Sequence, residues 1–417
     1  MKKSILLIIT LFFSLYTSAH HIELISRTMD GKADGNSSSR NIDISDDSRY
    51  IVFTSRSPDI VENDTNLYTI DCRVYYKIPA FDVFRYDRTN KEIIRISLNG
   101  DQKELSIHDS MKFSMSADGQ KVVSLNDMLS GQGWVSHVYD TDTSYRLFPK
   151  IDLGEDRFKL SGDGEYLVYY QYKNIYVLDM ETGENNLITK SQDGRKSDQS
   201  PKHYPAISYD GQCISYISHA TDVTKEATEG LFIRDRNTNE DKMVFPLNGH
   251  SASNLQFTRD ANDLFFSTTA PLVTAQEKPS GIYTYNLQTE KTNPISLPDY
   301  NGVTLENIDK FSINSNGRYI VFTHDLDLFR YNLQTKKLFH LLKIDTIFKT
   351  DYVNVCGFTV DMPQEYRGEI NISADGKFVV FTTNADLLVP EDTNSRFDAY
   401  LLEVEEESTA DNWQVFE

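Results

Sequence analysis

The sequence predicts an all-β fold: a single seven-bladed β-propeller of four-stranded blades, closed by an N-terminal strand that completes the last blade. Three observations predict it. One hairpin phrase occurs seven times, further strands follow the hairpins, and the last unit lacks its final strand. Units of about 40–50 residues with four strands each are typical of propeller blades.

The repeated phrase is a short strand, a tight Asp-Gly turn and a strand that alternates apolar and aromatic residues, as in ISADGKFVVF at 372–381. Measured between the aligned turn residues, from Asp47 to Asp375, the spacings run by subtraction from 45 to 71 residues. Each copy therefore marks one blade. The other copies lie at 44–53, 115–125, 160–170, 207–217, 257–266 and 313–322.

Two more strands complete each unit. A third strand ends in a polar turn, as in IYVLDMETG at 175–183, and a fourth follows, as in NLITK at 186–190. We name the four strands a, b, c and d from the centre of the ring outward. The fixed period favours a ring over an open stack of hairpins or a β-sandwich.

The last unit explains how the ring closes. It has a strand c at 398–404 but only a charged tail beyond it, whereas HIELISRTMDG at 21–31 is a strand without a unit of its own. We expect this N-terminal strand to serve as strand d of blade 7, which removes free sheet edges. The predicted organisation is a signal peptide at 1–19, the propeller at 20–407 and an acidic tail at 408–417.

The N-terminus predicts export. Two lysines, an apolar run and small residues before position 20 are typical of a signal peptide cleaved after Ala19, and no Cys stands there for a lipid anchor. We expect a periplasmic or secreted, monomeric protein without membrane insertion. The formal net charge of −20 argues against nucleic acid, because phosphate binding needs a basic surface.

The phrase S-x-D-G-x-x-[IV]-[VA]-F, followed by D-[VL]-x-x-[YR]-[DN]-x-x-T, resembles the TolB-like, WD40-like (PD40-type) propeller repeats of bacterial exported proteins. The resemblance implies a propeller and little about activity, because the repeat is structural. The N-terminal domain of TolB is absent, and so is the G-x-S-x-G motif of the related peptidases. Neither the TolB partnership nor peptidase activity is carried over.

Long insertions indicate where recognition occurs. In a propeller the b–c and d–a connections share one face, here called the loop face, and the a–b and c–d turns share the opposite, turn face. The insertions at 56–79, 345–367 and 383–396 all belong to the loop face, and long loops commonly bind ligands. We expect an envelope or extracellular protein or a glycan to bind there. The candidate binding residues are Tyr68, Tyr75, Tyr76, His203, His250 and Tyr352.

Two of these loops carry an Asp-Thr-Asn motif that is followed by the Asp opening strand c. Clustered oxygen ligands of this kind could hold Ca²⁺, which takes six to eight of them. The alternative is that Asp and Asn cap turns through their own backbone, and the resemblance supports it, since this motif is frequent in the repeat family. The candidate ligands are Asp64, Asn66, Asp82, Asp392, Asn394 and Asp398.

Two functions remain open at this stage. The favoured one is a non-enzymatic binding or scaffold protein that uses the loop face, with Ca²⁺ as its one candidate cofactor. The alternative is a metal-dependent carbohydrate-active enzyme, similar to the propeller polysaccharide lyases that hold a metal with histidines at the channel mouth. No H-x-H pair occurs to support a metal cluster. The histidines that topology places on the loop face are His108, His203, His219, His250 and His324.

We predict a disulfide between Cys72, in the blade 1 loop, and Cys356, in the connection into blade 7. The two loops are neighbours in a closed ring, and a link across the closure typically stabilises the fold by about 2–4 kcal/mol. Peptide mapping under non-reducing conditions should recover the two cysteines in one linked fragment. Recovery of both as alkylated thiols would contradict the pairing.

Overall fold

The computed structural model describes most of the repeats and parts of the connections between them. The described residues are 21–33, 39–65, 67–71, 75–98, 112–127, 134–140, 146–148, 158–189, 202–218, 229–270, 281–308, 310–325, 327–343, 352–355, 358–361, 368–385, 388–392, 394 and 396–405.

Seven four-stranded antiparallel sheets form the blades, as the sequence predicts. In blades 1 to 3 the strands, from a to d, are β2 (Ser39–Ile44), β3 (Tyr50–Ser55), β6 (Asp82–Asp87), β7 (Glu92–Arg95); β8 (Phe113–Met115), β9 (Lys121–Asp127), β10 (Trp134–Asp140), β11 (Arg146–Phe148); β12 (Phe158–Leu160), β13 (Tyr166–Gln171), β14 (Asn174–Asp179), β15 (Asn185–Leu187).

Blades 4 to 6 repeat the same order of strands. They are β16 (Lys202–Ile207), β17 (Cys213–Ser218), β18 (Gly230–Asp235), β19 (Glu240–Pro246); β20 (Ala252–Phe257), β21 (Asp263–Thr268), β22 (Ile282–Asn286), β23 (Lys291–Pro294); β24 (Phe311–Ile313), β25 (Tyr319–His324), β26 (Asp327–Asn332), β27 (Lys337–Leu342).

Blade 7 combines the two ends of the chain, and two further hairpins lie in the loop-face insertions. Blade 7 consists of β30 (Ile370–Ile372), β31 (Phe378–Thr383), β32 (Asp398–Glu403) and β1 (His21–Leu24); the hairpins are β4 (Leu67–Asp71) with β5 (Tyr75–Pro79) and β28 (Tyr352–Val355) with β29 (Phe358–Asp361). Across the described ranges, no helix has the length and apolar character needed to cross a membrane.

The seven innermost strands stand side by side around a central channel. From blade to blade, β2, β30, β24, β20, β16, β12 and β8 contact their neighbours in turn. Blades 1 and 2 meet through a backbone hydrogen bond of 2.7 Å from Asp46 N–H to Ala117 C=O. Each sheet packs its faces on the two adjacent sheets, so the apolar cores lie between blades.

The repeated Ser-x-Asp-Gly phrase is explained by its turn. In blade 1, Ser45 Oγ donates to Asp47 Oδ1 at 2.6 Å, and that carboxylate also accepts the Arg49 N–H at 2.9 Å. Ser45 Oγ accepts the Tyr50 N–H at 2.9 Å. These bonds satisfy backbone donors that the turn leaves free. The pairs in the other blades are Ser116/Asp118, Ser161/Asp163, Ser208/Asp210, Thr258/Asp260, Asn314/Asn316 and Ser373/Asp375.

The N-terminal strand closes the ring as predicted. Strand β1 pairs antiparallel with β32, with His21 opposite Glu403 and Leu24 opposite Tyr400. Just after β1, two more hydrogen bonds join the ends of the chain. Ser26 Oγ donates to Asp398 Oδ1 at 2.7 Å and accepts the Ala399 N–H at 3.0 Å. Sequence positions more than 370 apart are thereby joined by buried hydrogen bonds.

Stacked aromatic rings tie strand b to strand c in six of the blades. The ring centroids lie 5.4–5.7 Å apart with interplanar angles of 17–25°. Such pairs typically contribute about 0.5–1.5 kcal/mol beyond the area that they bury. The pairs are Phe53–Phe84, Tyr169–Tyr176, Tyr216–Phe232, Phe266–Tyr283, Phe322–Phe329 and Phe381–Tyr400.

We predict that Gly376→Ala destabilises the protein by about 2–4 kcal/mol, measured by urea denaturation. Gly376 has φ +78°, where an L side chain costs about 1–2 kcal/mol. A Cβ there would also lie 2.4 Å from Tyr319 Cδ2, and such overpacking adds about 1–3 kcal/mol.

The matched control is Ala261→Gly at the equivalent turn position of blade 5. Ala261 already has a φ of 53°, so glycine relieves strain and should change stability by less than about 1 kcal/mol. A destabilisation of Gly376→Ala that is no larger than the change in the control would contradict the packing argument.

Candidate functional site

The innermost strands carry one ring of equivalent residues around the channel. The penultimate residue of each strand a occupies an equivalent position, and at this position Lys159 is exposed between buried Phe158 and Leu160. Because strand a is the inner edge of its blade, an exposed side chain there faces the channel, whereas Ser114, Ala206 and Ser312 are buried between blades. The seven equivalent residues are Asp43, Ser114, Lys159, Ala206, Gln256, Ser312 and Asn371.

Four uncharged members of this ring bond neighbouring strands. Asn371 Nδ2 donates to the Ile42 carbonyl at 2.8 Å, and Ser312 Oγ donates to Asn371 Oδ1 at 3.0 Å. Gln256 accepts the Ile313 N–H at 3.1 Å and also donates to the neighbouring strand β24, while Ser114 Oγ accepts a backbone N–H of β12 at 2.9 Å. The inner edges of the blades thereby have their backbone groups satisfied by side chains.

The two charged members, Asp43 and Lys159, come from blades 1 and 3, and the charge of Lys159 acts on the Asp43 carboxyl. Asp43 is half-buried, and burial raises the pKa of its carboxyl above the ordinary 3.8. Lys159 and the Ile44 N–H, 2.9 Å away, oppose this shift, whereas the carboxylates of Asp46 and Glu369 add to it. A titratable group with a raised pKa in a channel is a candidate for proton transfer.

The loop-face mouth of the channel is locally cationic. Arg40 and Lys112 lie at the starts of their inner strands, and Lys310 Nζ lies 3.5 Å from Glu369 Oε1. Among the described side chains two or three residues before the penultimate position of an inner strand, the charged ones are Arg40, Lys112, Lys310 and Glu369, three cations and one acid; Asp43 and Lys159 lie deeper, next to the last residue of their strands. The mouth therefore has the opposite sign to a chain of net charge −20.

The turn-face end of the channel is bridged. Arg259 of blade 5 donates from Nη1 to Asp46 Oδ2 of blade 1 at 2.6 Å, although these blades are not neighbours. Ser315 of blade 6 donates to the other oxygen of Asp46. Arg259 Nη2 also donates to the Tyr209 hydroxyl at 3.0 Å, with its guanidinium 4.2 Å from the Tyr209 ring centre. These contacts cross the channel at its turn-face end.

β-Bulges occur in the inner strands near the loop face. The register of strand a shifts near the loop face in three blades, between Ser39 and Ile42, between Lys202 and Ala206, and between Ser253 and Gln256. Bulges bend a strand and redirect its side chains, and they are frequent beside active sites. The pairing of the inner strands is therefore irregular at the loop-face mouth and regular at the turn-face end.

The candidate calcium ligands of blade 7 are brought together. Asn394 Nδ2 donates to Asp398 Oδ2 at 2.8 Å, and the Asn394 N–H donates to Asp392 Oδ1 at 3.3 Å. The Tyr400 hydroxyl donates to Asp392 Oδ2, and Ser26 donates to Asp398. These contacts are those of turn capping and ring closure.

The candidate calcium ligands of blade 1 have separate partners. Asp64 Oδ1 lies 3.0 Å from Arg95 Nη1, with both side chains almost fully buried, and Asp82 accepts from the Ser97 hydroxyl. Asn66 lies outside the described residues. Within the described part of the chain, no group of three or more His, Cys, Asp and Glu side chains could hold a metal. Calcium binding stays a prediction.

The predicted binding-face residues are distributed over the loop face. Tyr68, Tyr75 and Tyr76 belong to the hairpin of β4 and β5, and Tyr352 belongs to the hairpin of β28 and β29. His203 lies in the inner strand β16. His250, exposed before β20, has Nδ1 3.5 Å from Thr269 Oγ1, and His324 ends β25; Cys72, His108, His219 and Cys356 lie outside the described residues.

Sequence reasoning missed Asp43, Lys159 and Arg259. Asp43 and Lys159 occupy the same position in two copies of the repeated phrase, one residue before its first conserved apolar residue. Comparing that position across all seven copies would have revealed the charged pair.

The fold is similar to that of two solved oligogalacturonate lyases. One, in complex with manganese, has a TM-score of 0.58 and 13% identity, with 93% of this chain and 97% of the lyase covered. The other, from Vibrio parahaemolyticus, has a TM-score of 0.56 and 12% identity, with the same coverage of 93% and 97%. TolB from Acinetobacter baumannii matches with a TM-score of 0.40 and 13% identity, over 78% of this chain and 77% of TolB.

No protein-family model and no curated protein sequence matches the chain. Membership in the TolB-like repeat family therefore stays a prediction, while the seven-bladed propeller is observed.

The comparison corrects the favoured functional interpretation. A non-enzymatic binding or scaffold protein is wrong by this finding, because the two similar structures described above with TM-scores above 0.5 are lyases. The enzyme alternative is the better supported of the two. The sequence did not reveal this because its most prominent feature is the repeated phrase, which specifies the blades and carries no information about activity.

We predict that Asp43→Asn stabilises the folded state by about 1–2 kcal/mol at pH 7, the usual scale for a poorly solvated polar group. Since the folded-state pKa of Asp43 is raised, its ionised form is penalised above that pKa, and the penalty is absent below the ordinary 3.8. Urea denaturation should show the gain at pH 7 and its loss near pH 3.5.

The exposed carboxyl of Asp299 provides the control. Asp299→Asn should give the same small change in stability at both pH values. An Asp43→Asn variant that is equally stable to wild type at pH 7, or less stable, would show that Lys159 outweighs burial.

Proposed function

We propose that the protein is an exported lyase that cleaves oligosaccharides of uronic acids at the loop-face mouth of its channel. The observation that carries the proposal is the cationic mouth on a strongly acidic chain, since a sugar carboxylate needs a local positive field to bind there. The names of the two lyases supply the substrate class. The N-terminal sequence supports export.

The chemistry of such a cleavage defines what the site must do. A base removes the proton on the carbon next to the carboxylate, the bond to the leaving oxygen breaks, a carbon–carbon double bond forms, and the leaving oxygen gains a proton. Negative charge builds up on the carboxylate in the transition state, so cations fixed near it lower the barrier. A positioned acid or base typically adds about 10²–10⁴-fold.

Lys159 and Asp43 are the residues to which we assign these roles. Lys159 is exposed in the channel wall and can pair with the sugar carboxylate. Asp43 has a carboxyl whose pKa is raised by burial, so its ionised form is a stronger base than a surface aspartate. Lys310, with Glu369 3.5 Å away, lies nearer the mouth and can orient the rest of the substrate.

A divalent metal is a separate requirement of the enzyme alternative. One of the similar lyases is a manganese complex, but no metal-binding group forms among the residues described for this chain. We therefore derive no step through a metal. Metal dependence stays a prediction, to be measured by adding EDTA and then Mn²⁺ to the assay.

We predict that the purified protein forms unsaturated products from oligogalacturonate, detected by the ultraviolet absorbance of the new double bond and by mass spectrometry. Lys159→Met should lower kcat/KM by about 10–100-fold, because a charge-assisted contact contributes about 1.5–3 kcal/mol. Lys291→Met, an exposed lysine on the outer strand β23, should retain full activity.

Two results would contradict the proposal at different levels. If wild type leaves every uronate oligosaccharide intact, with Mn²⁺ and without it, the lyase function is wrong. If wild type is active and Lys159→Met is equally active, the function stands and the site assignment is wrong.

A further inference from the structure

The b–c turn of blade 3 has an unusual composition for its geometry. Strands β13 and β14 pair up to Gln171 and Asn174, so Tyr172 and Lys173 alone form the turn. Their φ angles are 48° and 65°. Two consecutive left-handed residues define a type I′ hairpin turn, which strongly favours Asn-Gly because a side chain with Cβ costs about 1–2 kcal/mol per residue there.

The chain uses the favoured sequence in its other turns of this kind. Asn248-Gly249 and Asn301-Gly302 also have consecutive positive φ angles, with turn hydrogen bonds of 2.8 Å from the His250 N–H to the Leu247 carbonyl and from the Val303 N–H to the Tyr300 carbonyl. Within the described ranges, Tyr172-Lys173 is the only consecutive pair of this conformation without glycine. Persistent backbone strain of this type is concentrated at functional sites.

Both side chains of the pair are directed to solvent. Tyr172 is 72% exposed, the most exposed of the large hydrophobic residues in the described structure, and Lys173 is also exposed. Neither side chain has a hydrogen-bond or ion-pair partner among the described residues. Burial or an intramolecular contact therefore does not explain why the strained residues are kept.

The turn holds its two side chains on a rigid support. Asn174 is 4% exposed and donates from Nδ2 to the Tyr172 carbonyl at 3.0 Å. Its Oδ1 accepts from the Thr189 hydroxyl at 3.1 Å, and the same hydroxyl accepts the Ile175 N–H. A binding group on an anchored turn loses little entropy when a ligand arrives.

The turn lies on the blade that contributes Lys159 to the channel, nearer the loop face. As a b–c connection it belongs to the loop face. Lys159 pairs with Val168, four residues before Tyr172, so the turn lies roughly 13 Å from Lys159 along the strand and roughly 7 Å outward from the innermost strand. An oligosaccharide bound at the mouth extends far enough to reach it.

We propose that Tyr172 and Lys173 form a specificity subsite for a uronic acid unit several sugar units along the oligosaccharide from the one that is cleaved. A pyranose ring has a flat face of C–H groups that packs on an aromatic ring, and the Tyr hydroxyl remains available to the sugar hydroxyls. The ammonium of Lys173 pairs with the carboxylate of the same unit. This inference rests on the proposed lyase function and names how the substrate is held.

The test replaces Tyr172-Lys173 by Asn-Gly, the pair used in the two unstrained turns. Because the strain is relieved, the unfolding midpoint should rise by about 1–3 °C. The KM for oligogalacturonate should nevertheless increase about tenfold with little change in kcat, since the subsite binds ground state and transition state alike. A more stable variant with weaker substrate binding is not expected for residues with a purely structural role.

Two further variants separate charge from backbone. Lys173→Gln should raise KM for oligogalacturonate but leave the calorimetric affinity for a neutral galactose oligosaccharide unchanged. Lys336→Gly, which relieves a φ of 60° on the turn face, should stabilise the protein without any change in KM.

The outcomes distinguish this inference from the lyase proposal. If wild type is active and the Asn-Gly variant keeps the wild-type KM, the subsite is wrong and the lyase function stands. If wild type neither binds nor cleaves a galacturonic acid oligosaccharide, both are wrong.

Discussion

The inner edges of the blades are the constraint on which the rest of the structure depends. Seven short strands converge on one axis, and each has backbone groups that no neighbouring strand pairs in a continuous ladder. Side chains such as Asn371, Ser312 and Gln256 bond the next strand instead, and at one end the backbone of the Ser-x-Asp turns bonds the next blade. The pairing of β1 with β32 then closes the ring and holds the seven inner strands in place.

The same constraint explains where the charged residues stand. In several blades an uncharged residue at the penultimate position of strand a bonds the backbone of the next inner strand. In blades 1 and 3 the equivalent positions are occupied by the charged residues Asp43 and Lys159. A carboxyl placed there loses hydration, which raises its pKa. The proposed site therefore uses positions that the repeat does not need for pairing between blades.

The sequence predicts the fold in detail because each blade is specified locally. The turn phrase, the alternating strands and the missing last strand all act within one unit, and the observed hairpins and the pairing of β1 with β32 agree with them. The site depends on contacts between distant blades. The bridge from Arg259 to Asp46 spans 213 positions, and no periodicity encodes it. The Asp-Thr-Asn motif is visible in the sequence, but its role is not. Side chains such as Asp398 and Asn394 are equally suited to capping a turn and to binding an ion.

The bridge from Arg259 to Asp46 also limits how molecules can enter and leave the channel. With the turn-face end of the channel closed, a substrate of the proposed lyase enters through the loop face and its products leave by the same route. A long polymer cannot pass through a channel that is closed at one end, so it has to present a terminus or a short piece. The turnover of the proposed lyase then depends on how fast its products dissociate from the loop-face mouth.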